Sequence, residues 1–102
     1  MIKPFDMELF LTGVLTGSRA TRQRHLRQAR AMQIAIQKHW KRDNPWNWQL
    51  KHLIWFLNSH LENNELATRY YYSLTARLIC KRLNRSDRWT QILRSGRHLK
   101  EL

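Results

Sequence analysis

Arg69, Tyr70, Ser73, Arg77 and Lys81 recur along the stretch ATRYYYSLTARLICKRL, residues 67–83. Two guanidinium groups, an ammonium, a phenol and a hydroxyl in one line are hydrogen-bond donors for phosphate oxygens and base edges. Plotted at the helical period, these five fall on one side of a helix. Tyr71, Leu74, Thr75, Leu78, Ile79 and Leu83, with Tyr72, fall on the other. A helix burying the second set presents the first as a basic strip with a phenol in it. Such a strip suits the major groove of a duplex, which admits a helix.

A second basic helix is expected from Ala20 or Thr21 to about Lys41, with Thr21 as its N-cap. His25, Leu26, Ala29, Met32, Ile36 and Trp40 cluster on one face. Arg24, Arg27 and Lys38 lie opposite, with Arg30 and Lys41 on the edge. A merely solvated face mixes signs. This one contains no acid at all.

Bond-making chemistry finds no support. Of the five histidines, no two form an H-x-x-x-H pair, and Cys80 is the only cysteine, so neither a metal site nor an intrachain disulfide is expected. Seven acids are too few and too scattered for a catalytic carboxylate pair, and three glycines make no phosphate loop. Tyr70, Tyr71 and Tyr72 have no His-Arg cluster to activate them as nucleophiles. The chain reads as a non-enzyme without a cofactor.

The elements that must position these residues form one small all-α domain, a bundle of four to five helices in 102 residues, with a core over about 5–95 and a flexible tail over 96–102. Phe5 to Leu15 reads as a short first helix, with Asp6 and Glu8 in its first turn. Met7, Phe10, Leu11, Val14 and Leu15 supply its apolar face. Arg42-Asp43-Asn44-Pro45 breaks the second helix. A third is expected from Trp48 to Leu61, capped by Asn47, with Leu50, Leu53, Ile54, Leu57 and Leu61 inward. Trp48 and Trp55 then point outward with His52 between them. They either pack under the N-terminal helix or contact another molecule. Base stacking on them is weakly supported, because the segment carries little positive charge. After Asn84 to Ser86, a last short helix capped by Ser86 or Asp87 turns Trp89, Ile92 and Leu93 inward and closes at Ser95-Gly96.

Charge is unevenly distributed. The formal net charge is +12, with 19 Lys and Arg. Residues 18–42 hold eight bases and no acid, and residues 68–100 hold nine bases and Asp87. Between them, residues 43–67 carry Lys51 against Asp43, Glu62 and Glu65. The balance favours a polyanionic partner. No apolar run approaches a membrane span and the N-terminus has no secretory pattern, so a cytoplasmic, nucleoid-associated protein without a membrane partner is expected.

The two basic helices share a spacing: Thr21-Arg22 precedes Ala29-Arg30, and Thr68-Arg69 precedes Ala76-Arg77, both T-R-x6-A-R and 47 residues apart. Phe10-Leu11, the turn at Gly17-Ser18, Thr21 with His25 at the place of a tyrosine, the tryptophan helix, Thr68 with Tyr72, and Trp89 follow in order. This arrangement resembles the core-binding, SAM-like domain of the tyrosine recombinases, the phage integrase family, over about residues 5–95. The resemblance implies two crossed helix pairs laying the helices from Thr21 and Thr68 on DNA. The family's catalytic Arg, His and Tyr set has no counterpart here, so the resemblance implies DNA binding without strand cleavage.

The leading expectation is therefore a non-catalytic binder of duplex DNA, an accessory or regulatory factor of a mobile element in DNA recombination. Arg24, Arg27, Arg30, Lys38, Arg69, Arg77 and Lys81 would neutralise phosphates, and Tyr70 and Ser73 would reach base edges or sugars. The alternatives are a protein-interaction module, an inhibitor or adaptor using Trp48 and Trp55, and an RNA-binding protein.

Overall fold

Asp6 and Ser18 start the first two helices. The computed structural model describes residues 3–95. Helix α1 is Met7–Leu11, and the Asp6 carboxylate accepts from the Leu9 amide at 3.0 Å. Helix α2 is Arg19–Trp40. Its N-cap is Ser18, not Thr21: the Ser18 hydroxyl accepts from the Thr21 amide at 3.2 Å. The preceding Gly17 sits at φ +92°, a left-handed conformation open to glycine, and turns the chain early enough for serine to cap. Lys41 ends α2 at φ 60°, a position where Gly or Asn is the usual residue.

Between α2 and the next helix, Asn44 caps a single 3-10 turn, Pro45–Asn47. Helix α3 is Leu50–Trp55, followed by a π-helical turn over Phe56–His60. Helix α4 is Leu66–Arg82 and α5 is Ser86–Ser95. The five helices form an all-α bundle with no strand among the described residues, and none of the helices is long and apolar enough to cross a membrane. Gly96 and the tail expected over 96–102 lie outside the described residues.

The core forms where α2 meets α4, with α1, α3 and α5 packed around them. Helix α2 buries His25, Leu26, Ala29, Met32 and Ile36 as its periodicity predicts, with Gln28, Gln33 and Ala35 alongside. The two alanines of the repeated spacing, Ala29 and Ala76, are both wholly buried. The N-terminus is tied to the end of α2: the Asp43 carboxylate accepts from the Phe5 amide and from Gln33 Nε2, which also donates to the Phe5 carbonyl.

The third helix departs most from expectation. Trp48 lies ahead of α3 in extended backbone, at ψ 147°. A residue outside the helix does not follow the helical period, so the outward direction assigned to it fails. Its ring is 0% exposed, and its Nε1 donates to the Arg42 carbonyl at 2.7 Å. His52, also expected outside, is 0% exposed. Its Nδ1 accepts from the Gln49 amide at 2.8 Å, so the imidazole caps α3 and is drawn inward. Gln49, not Asn47, is the N-cap residue.

The buried face of α4 is also rotated. Thr75, Ala76, Ile79 and Cys80 are its buried residues, while Leu74 and Leu78 are half-buried and Tyr71 is 40% exposed. Helix α5 packs along α4, and Ala76 and Cys80, which the apolar plot left out, are wholly buried. Leu93 of α5 is buried, and Trp89 and Ile92 pack against the core.

A core indole predicts a fold effect where an interaction residue would predict a binding effect. Trp48→Ala is expected to cost about 3–5 kcal/mol in denaturant unfolding. A variant melting with the parent chain would contradict this placement.

Candidate nucleic-acid interface

A buried polar node fixes how the two basic helices meet. The Thr75 hydroxyl on α4 donates to Gln28 Oε1 on α2 at 2.7 Å. His25 Nδ1 lies 2.8 Å from Thr75 Oγ1. With the hydroxyl proton directed at Gln28, Nδ1 must carry a proton and donate to Thr75. His25 occupies the place of the tyrosine in the family resemblance, and it serves the helix contact instead of the surface. Tyr72, the second such position, is half-buried against the Phe56 ring at 5.3 Å.

At the edge of this seam the Arg24 guanidinium lies 4.5 Å from the centroid of the Tyr71 ring. Its Nε is buried without a hydrogen-bond partner. Arg24 is thus half committed to holding α2 against α4. Tyr70, next to Tyr71 and ring-to-edge with it at 5.6 Å, is 57% exposed.

The nominated cations divide into three sorts. Arg27 and Lys38 on α2 and Lys81 on α4 are exposed, and their side chains make no hydrogen bond or ion pair with described residues. Arg69, Arg77 and Ser73 are half-buried, because the rotation of α4 turns them toward the covered side. The Ser73 hydroxyl donates to the Tyr70 carbonyl at 2.5 Å. Arg30 pairs with Glu8 at 3.3 Å, the single ion pair among the described residues, with both partners exposed. Such a pair contributes about 0–1 kcal/mol.

Other cations work for the fold. Arg82 Nε donates to the Phe10 carbonyl at 2.8 Å, with its guanidinium against the Phe10 and Trp46 rings. Arg85 donates to the Trp48 carbonyl at 3.2 Å and Arg42 to the Asn47 carbonyl at 3.3 Å. Composition counts these with the free cations, whereas the structure separates them.

The described residues hold no cluster of three or more His, Cys, Asp or Glu fit for a metal ion. Cys80 is wholly buried, and burial pushes its thiol up to about 12, so it is not a nucleophile at neutral pH. Of the two expected outward tryptophans, only Trp55 reaches the surface, where it is half-buried. No sequence pattern signals that His39 and His60 meet it. His39 stacks on Trp55 at 4.3 Å between centroids and 15° between planes, and His60 lies 5.6 Å away. No family model, curated protein or solved structure matches the chain.

Two buried imidazoles make the fold sensitive to acid. Burial first, and then Arg24, holds His25 below the usual histidine range. Burial, followed by Arg42 and Lys51, does the same for His52. Both are neutral in the fold, and charging His52 at Nδ1 would break its bond to Gln49. Their contribution to stability is complete above the free value of 6.5 and is lost as pH falls through the depressed folded values. Thermal melts should therefore hold steady above pH 6.5 and fall below it. An unchanged melting temperature in acid down to carboxylate titration would contradict this.

Proposed function

We propose that the chain is a non-catalytic DNA-binding protein that lays α2 and α4 on the backbone of duplex DNA. The observation that carries this reading is the pairing of two acid-free helices in direct contact. Over Arg19–Trp40 and Leu66–Arg82 there is no Asp or Glu, and Arg27, Lys38 and Lys81 have no protein partner among the described residues. Cations left unpaired on adjoining helices release bound counterions from phosphates. Arg30 and the half-buried Arg69 and Arg77 add to the same field. Tyr70 supplies an exposed phenol for a base edge or sugar.

The resemblance to the core-binding domain of tyrosine recombinases supports the same reading. There, too, paired helices contact DNA while the strand chemistry resides elsewhere. An accessory or regulatory role in a mobile element fits such a module. The protein-interaction alternative keeps Trp55 but loses Trp48, whose ring lies in the core.

Mobility shifts against duplex DNA across a salt series test the proposal. With about six phosphate contacts, affinity should fall about a thousandfold from 50 to 200 mM salt. The double variant Arg27→Ala/Lys81→Ala should keep its melting temperature and lower the salt slope by about two contacts. Binding that ignores salt, or a slope untouched by the double variant, would reject the interface.

A further inference from the structure

Trp55 stands between two surface grooves. One, of about 380 Å³, is lined also by Lys38, His39 and His60. The other, of about 500 Å³, is lined also by Trp40, Lys51 and Ser59. No acidic residue lines either. The rings form a group: His39 lies flat on Trp55, His60 approaches it at a tilt, and Trp40 meets it edge-on at 6.3 Å. Lys51 Nζ lies 5.5 Å from the centroid of the Trp40 ring. His39, His60, Lys38 and Lys51 are exposed.

The π-helical turn accounts for His60. The Leu61 amide donates to the Phe56 carbonyl at 3.1 Å, five residues back. In an α-helix, residues five apart diverge, but the wider π turn brings them toward one side. His60 is thereby set beside Trp55, while α2 delivers Lys38 and His39 from its last turn. The positive charge missing from the tryptophan segment in sequence is supplied across the fold.

We propose that this aromatic rim binds an unpaired strand of DNA, with bases stacked on His39, Trp55 and His60 and phosphates held by Lys51 and by Lys38, which the rim shares with the proposed duplex face. Each part of the chemistry has a counterpart. Exposed π-faces accept any base, and cations beside them track the backbone. A paired duplex offers no free base face to such a rim. An acidic peptide would satisfy the two lysines and leave the rings without a partner. The choice of DNA over RNA rests on the proposed function, and the rim itself does not. A bundle holding duplex on α2 and α4 and a loose strand on the rim is suited to a junction between paired and unpaired DNA.

Fluorescence anisotropy with the full chain tests this, using labelled oligo-dT of about a dozen nucleotides, the matching duplex and oligo-rU. The exposed pair His39→Ala/His60→Ala, and separately Trp55→Leu, should weaken oligo-dT binding at least about fivefold and leave duplex binding unchanged. Arg27→Ala/Lys81→Ala should do the reverse. Absence of duplex binding, with oligo-dT binding still dependent on the rings, would sink the proposed function and support the rim. Ring variants that keep parental helicity and bind oligo-dT with parental affinity would overturn the rim. Tighter binding of oligo-rU than of oligo-dT would overturn its assignment to DNA.

Discussion

The contact of Thr75 with His25 and Gln28 sets the register of the molecule. Three polar side chains are buried between α2 and α4, and each hydrogen bond there depends on the others. A slip of one helix past the other would leave a hydroxyl, an amide and an imidazole unsatisfied, at about 1–3 kcal/mol for each group. Apolar packing alone tolerates such slips, since its energy has little direction. With the register fixed, Arg24 closes over Tyr71, and the outward cations of the two helices take a defined relation.

Charge and fold are thus divided between different arginines. Arg82, Arg85 and Arg42 direct their guanidinium groups at backbone carbonyls and rings. Planar, multidonor groups suit that task, and their charge is partly spent within the protein. Arg27, Lys38 and Lys81 have no side-chain partner among the described residues. The same economy of acids serves both ends. Asp6 caps α1, Asp43 anchors Phe5 and Gln33, and Glu8 meets Arg30, so three of the seven carboxylates are occupied within the fold.

Much of this was legible in the sequence where the chain follows one period over many residues. The 22 residues of α2 run without Gly or Pro, and their apolar row names the buried face correctly. Asp6 and Glu8 mark the start of α1 in the usual way. The readings that failed did so where a local hydrogen bond or a neighbouring element overrode the period. Trp48 and Trp55 are a helical repeat apart only if both are helical, and Trp48 is not. His52 looks like a surface residue until its ring caps the chain at Gln49. Tyr71, which the plot of α4 turned inward, is exposed, and α5, which packs along α4, is invisible to such a plot. For the candidate interface, residue type was legible, but the division between structural and free cations was not. The grouping of His39, Trp55 and His60 depends on a π turn and on the end of α2, neither of which leaves a pattern in sequence.

The central claim is that α2 and α4, locked by the Thr75 node, act together on one duplex. Backbone amide chemical shifts recorded while duplex DNA is added test it most directly. The account predicts coincident shifts around Arg27 and Lys38 on α2 and around Tyr70 and Lys81 on α4, saturating at one stoichiometry. Shifts confined to one of these helices, or centred on α1 and the turn at Pro45–Asn47, would contradict it.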